Sequence, residues 1–152
     1  MKFRFLTISV LSVGFFACSE HQHDESCKSH GGHHVHQPLL GGELIPLGEH
    51  GEGYNLEILT TSDQHLSVYI LDAHAENFVR LKQPKIELLI TEQNVSQSIF
   101  LDAIADAATG ETIGNTSHFR SSTPINPNRS TDGILQSIKI GAKEYNQTKI
   151  SF

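Results

Sequence analysis

Seven side chains in one short stretch can bind a borderline or soft metal ion. They are His21, His23, Cys27, His30, His33, His34 and His36. Imidazole suits Zn, Cu and Ni, and thiolate favours Cu(I) and Zn. The run Cys27-x-x-His30-x-x-His33-His34-x-His36 puts several donors within reach of one ion, and Gly31 and Gly32 let the backbone curl around it. An unperturbed imidazole, with a pKa of ~6.5, is mostly neutral at pH 7 and free to bind metal. The spacing is not that of a zinc finger, and nothing rigid holds the donors. The expectation is therefore several weak, exchanging sites for Zn, Cu or Ni, and no structural ion. The competing expectation is a solvated polar linker whose histidines have no selected role. A single Met argues against a Met-rich Cu(I) carrier.

The other four histidines are His50, His65, His74 and His118. Asp72 and His74 are two residues apart at a strand end, so extended geometry points both side chains the same way. They form either a metal pair or a His oriented by a carboxylate. The plainer alternative, which we favour, has Asp72 capping a turn and His74 in solvent. Glu49-His50 sits among Gly48, Gly51 and Gly53 and reads as a solvated hairpin tip. His65, beside Asp63, reads as part of a turn. Catalytic signatures are missing. There is no His-Glu-x-x-His, Gly-x-Ser-x-Gly, Walker loop or dinucleotide glycine fingerprint. Cys27 is too loosely held to be an activated nucleophile. Asp102 and Asp106 suggest only a loop. The chain is therefore expected not to be an enzyme.

These residues need elements to carry them. The chain has 152 residues, enough for one ordinary domain. A formal charge of −6 argues against nucleic-acid binding, which needs a basic face. Lys2 and Arg4 precede an apolar run from Phe5 to Ala17. A bilayer-spanning helix needs roughly 20 residues. The run is shorter and follows a basic start, so residues 1–17 read as a secretory signal. Phe15-Phe16-Ala17-Cys18 resembles a bacterial lipobox, with Phe16 where a small residue is usual. The resemblance implies that Cys18 is acylated and becomes the first mature residue. Ser19 in place of Asp then implies delivery to the periplasmic face of the outer membrane. Several acyl chains, at about 0.8 kcal/mol per buried methylene, make a stable anchor. Loss of Lys2 and Arg4 takes the net charge from −6 to −8. Cys27 is then the one remaining thiol, so the domain has no disulfide framework.

Residues 18–38 form the lipidated, His-rich tether. From Ser19 to Pro38 the only aliphatic residue is Val35. Such a segment cannot bury enough apolar area to offset the entropy of ordering, so disorder is expected. About 20 flexible residues reach ~25 Å.

Residues 39–152 carry the folded unit. Tyr54, Leu56 and Ile58 alternate with Asn55 and Glu57. Leu66, Val68 and Ile70 form a second such set, and Ile86, Leu88 and Ile90 a third. Ile99 and Leu101 follow. Ile134, Ile138 and Ile140 share a parity, with Gln136 the exception, and Thr148, Ile150 and Phe152 share the last. Glu43 to Leu47 and a short strand near Phe119 complete seven or eight strands. Leu101 to Ala108 is a strand end running into a loop. Gly141-Ala142 is a two-residue type II′ turn that pairs Ser137–Ile140 with Lys143–Asn146. Ser121 to Gly133, with Pro124 and Pro127, is a long connection. The expected fold is all-β, a single antiparallel sandwich of the immunoglobulin-like kind.

The stretch from Gly41 onward resembles a family of small, largely uncharacterised periplasmic or lipid-anchored bacterial proteins. The matching residues are Gly41-Gly42-Glu43-Leu44-Ile45-Pro46-Leu47-Gly48 after a His-rich lead, Leu56-Glu57, and Val68-Tyr69-Ile70-Leu71-Asp72-Ala73-His74. Two later echoes are Thr116-Ser117-His118-Phe119 and Ile140-Gly141-Ala142-Lys143-Glu144-Tyr145. Similar modules accompany heavy-metal efflux adaptors. The resemblance implies a β-sandwich, a link to metal homeostasis and no particular activity. The chain departs from it with Leu39-Leu40 where a His-Gly lead is common, and it lacks the coiled-coil and lipoyl-like segments of a complete adaptor. The leading functional expectation is a lipid-anchored periplasmic module that captures or buffers Zn, Cu or Ni through its tether. Its partners would be the membrane, through the anchor, and a metal-efflux or envelope protein. The alternative is a non-catalytic envelope interaction or assembly protein with incidental histidines.

Overall fold

The computed structural model describes residues 35–92, 95–125 and 132–152. The signal segment 1–17, the lipidation residue Cys18 and the donors His21, His23, Cys27, His30, His33 and His34 lie outside the described residues. So do residues 126–131 of the long connection.

Eight strands follow in chain order. They are β1 (Glu43–Leu47), β2 (Tyr54–Thr60), β3 (Leu66–Leu71), β4 (Lys85–Glu92), β5 (Val95–Ala103), β6 (His118–Ser121), β7 (Asp132–Ile140) and β8 (Lys143–Ser151). All pairings are antiparallel, and the spatial order is β1-β2-β3-β6-β5-β4-β7-β8. The all-β, antiparallel expectation and the strand positions hold. The strands form one hydrogen-bonded series, however, and not the two separate sheets that the sandwich expectation describes. Alternation along each strand dictates which face is buried but not which strands become neighbours. After β3 the chain skips two positions, lays down β4, returns through β5 and β6, then crosses to β7 beside β4.

The series curls until its two ends approach, giving a nearly closed, barrel-like sheet. Lys143 at the start of β8 donates to the Glu52 carbonyl in the β1–β2 loop. The Tyr145 ring meets Tyr54 edge-on, at 6.3 Å between centroids. Gly48 has φ +84°, and a Cβ there would lie 3.1 Å from the Tyr145 ring. Glycine is therefore required where the seam closes. Pro46 is tolerated in β1 because this strand ends the series. The Tyr145 hydroxyl is enclosed at this seam without a hydrogen-bond partner.

The core fills the inside of the curl. Leu56, Val68, Leu88, Leu101, Phe119 and Ile138 are fully buried. Each such side chain contributes about 1.5–3 kcal/mol of burial. The final hairpin has the expected pairs, Ile140 with Lys143 through Ser137 with Asn146. Gly141 has φ +61° and Ala142 a negative φ, as a type II′ turn requires.

The expected inward set of β7 needs correction. Gly133 and Leu135 are buried in its first half and Ile138 and Ile140 in its second, while Ile134 is half-buried. The parity changes at Gln136. Its neighbour across the hairpin, Gln147, has φ +53°, and the two side-chain amides bond at 2.8 Å. This left-handed residue twists both strands at one level.

Candidate functional site

The described histidine nearest the N-terminus is held against the barrel by a buried acid. Glu57 on β2 is fully buried, although alternation turns it away from the core side chains Leu56 and Ile58. Its Oε1 accepts from the backbone N–H groups of Leu40 at 2.7 Å and Gly42 at 2.8 Å, and its Oε2 from that of Leu39 at 2.9 Å. A buried carboxylate needs such donors, and three charge-assisted bonds supply them. The Gly-Gly opening makes this possible. A Cβ on Gly42 would sit 2.5 Å from the Ile58 carbonyl oxygen and 3.0 Å from the Glu57 side chain. Residues 39–42 are thus clamped to β2, and their backbone N–H groups are taken up by the chain's own carboxylate.

Three residues before the clamp, His36 reaches the barrel rim. Its Nε2 lies 3.0 Å from Nε2 of His50, and the two rings stack at 4.9 Å between centroids. The His74 ring lies 5.8 Å from that of His36. Each imidazole arrives on a separately fixed backbone. His50 sits in the β1–β2 loop, where the N–H groups of Glu52 and Gly53 both bond the Glu49 carbonyl. His74 sits in the turn after β3. There Asp72 accepts from the Glu76 N–H at 2.9 Å and the Asn77 amide at 2.6 Å, and the buried Asn55 amide bonds the carbonyls of Asp72 and Ala73.

Asp72 therefore caps a turn, while His74 leans toward His36 and not toward the carboxylate. Burial alone would raise the Asp72 carboxyl. The bonds from Asn77, Glu76 and His74 outweigh it and hold the group below its ordinary range. A pocket of about 350 Å³ opens beside the pair, lined by His36, Pro46, Gly48, His50 and Tyr54. A second depression shares His36 and is lined by His74 and Glu76. Among the described residues, no three His, Cys, Asp or Glu side chains stand ready as placed to hold one ion.

The other two histidines serve the fold. His65 Nδ1 donates to the Ser121 carbonyl at 2.7 Å. His118 stacks on Tyr69 at 4.2 Å and 7°, with Nε2 3.1 Å from the Ser67 hydroxyl. Burial holds the His118 imidazole below its ordinary value, outweighing the nearby Glu111 carboxylate. Burial likewise raises the Tyr69 hydroxyl. Asp63 pairs with Arg120, and hydrogen bonds led by that from Thr61 lower its carboxyl. Asp102 pairs with Lys85 across strands at 3.4 Å, and Asp106 closes the loop around Glu111.

Sequence reasoning missed Glu57 and the meeting of His36 with His50. Period-two alternation marks Glu57 as an outward polar residue and cannot show that the preceding segment, residues 39–42, covers it. The one usable signal was the adjacency of a His-rich lead to Gly41-Gly42.

Among the described residues, no helix is long and apolar enough to cross a membrane. Compared with known proteins, the chain matches no family model, no curated protein and no solved structure.

Proposed function

We propose that this protein is a lipid-anchored periplasmic module that captures or buffers a transition metal, Zn, Cu or Ni, through the His-rich lead of residues 19–38. The observation that carries the reading is the concentration of six histidines and Cys27 in that lead, with the last histidine, His36, seated on the barrel beside His50. Imidazole and thiolate select borderline and soft ions over Ca and Mg. In this reading the barrel is a non-enzymatic platform, the Cys18 lipid holds it at the outer membrane, and the lead supplies the metal ligands. A metal-efflux component is the natural recipient of the ion. Calorimetric titration of the full-length, detergent-solubilised chain with each metal, beside a version lacking residues 19–38, tests this. Several equivalents bound by the first and far fewer by the second are expected, and equal binding by both ends the idea.

A second reading, an envelope interaction module with incidental histidines, draws on the exposed apolar side chains Phe78, Phe100 and Ile113. Capture of an envelope protein that is insensitive to chelator would favour it.

A further inference from the structure

We infer that His36, His50 and His74 form a rim site on the barrel for one exchangeable divalent ion of the Zn(II), Cu(II) or Ni(II) class, separate from the ions held along the lead. The inference rests on the capture reading for the source of the ion, but not for the site itself.

The geometry of the pair is the first argument. A tetrahedral ion with Zn–N bonds of ~2.0–2.1 Å sets two ligand nitrogens about 3.3 Å apart. The Nε2 atoms of His36 and His50 already face each other at 3.0 Å. Without metal, one ring must donate its Nε2–H to the lone pair of the other. An ion replaces that proton, which leaves to solvent, once both rings turn so that their lone pairs converge on it. The two nitrogens must move apart by only about 0.3 Å on this bond-length basis.

The second argument is the supply of a third donor. His74 is exposed, and its ring is 5.8 Å from that of His36, so a rotamer change brings it in without moving its backbone. Three imidazoles with one open position suit exchange better than permanent storage. The open position faces solvent, because His36 lies between two surface depressions. Glu49 lines one of them and Glu76 the other, and both carboxylates favour a cation there.

The third argument is anchorage. The Glu57 clamp fixes the chain just after His36, the Glu49 carbonyl fixes the loop bearing His50, and the Asp72 turn fixes His74. Sites carried on fixed backbones bind with less ordering cost than a flexible run.

The test uses the full-length chain in detergent, with Cys18, His21, His23, Cys27, His30, His33 and His34 all changed to Ser. This lead-silenced protein should still bind one Ni(II) or Zn(II). His50→Ala and His50→Gln should each weaken that binding at least tenfold, and His74→Ala by less. Both positions are exposed, so the circular dichroism spectrum should be unchanged. Substoichiometric Cu(II) should broaden the ring resonances of His36, His50 and His74 and spare those of His65 and His118. If the lead-silenced protein binds nothing while the unaltered chain binds metal, the rim site is wrong and the capture reading stands. If His50→Ala binds as tightly as its parent, the rim site is also wrong. If silencing the lead changes nothing and His50→Ala abolishes binding, the rim site stands and the lead reading falls.

Discussion

His65 precedes β3 and His74 follows it, and the two ends of that strand use imidazole differently. Six residues at ~3.3 Å each put roughly 20 Å between the two settings. Around the first half of β3, His65 and His118 have ring nitrogens bound to oxygens of the fold, the Ser121 carbonyl and the Ser67 hydroxyl. Beyond its far end, the described ring contacts of His36, His50 and His74 are with one another. A nitrogen already bonded to the backbone stabilises the fold but has little left to offer a ligand. A nitrogen that meets only another imidazole is available. Ligand chemistry therefore belongs at the rim, and the histidines beside β3 belong to stability.

Glu57→Ala should break this contrast most strongly. It strips three backbone N–H groups of their acceptor, at a cost of about 2–3 kcal/mol in urea unfolding. It should also free residues 35–42, so the His36–His50 contact disappears from nuclear Overhauser spectra. His118→Ala removes the Tyr69 stack and the Ser67 bond, for about 1–2 kcal/mol by the same measurement.

The pH profile sharpens the contrast further. Burial lowers the folded His118 pKa, so the unfolded chain binds that proton more tightly. The neutral imidazole's contribution is present above the unfolded value of ~6.5 and is lost as pH falls through the folded value. Melting temperature should fall from pH 7 to pH 5.5, and His118→Gln should flatten that slope. The smallest effect belongs to the rim. His50→Ala and His74→Ala should each stay within about 0.5 kcal/mol of the parent without metal. A loss above 1.5 kcal/mol from either would move these residues into the structural group.

Local features were legible in the sequence and non-local ones were not. The β7–β8 turn was readable because Gly141-Ala142 determines its own hairpin within a few residues. The strands were readable from alternation. Ile134 was misplaced because the reversal of faces depends on the left-handed Gln147, across the hairpin from Gln136, and neither residue type announces it. The single curled series was hidden because β6 inserts between β3 and β5, a choice made by packing between distant segments. His50 read as a solvated tip, and it is exposed. Its partner lies 14 residues earlier and meets it only because a glutamate on β2 holds the intervening chain.

The placement of β6 also has a kinetic consequence. Its four residues pair with β3 on one side and β5 on the other, and they arrive only after a two-strand gap has been left open. The first three strands can assemble from nearby contacts, as can the β4–β5 hairpin, but the two pieces join along this flank only when β6 docks. Phe119, fully buried at its centre, acts as a keystone. We expect late formation of its contacts. Phe119→Ala should then accelerate unfolding far more than it slows folding in stopped-flow chevrons, and the reverse partition would place the joining of the two pieces early.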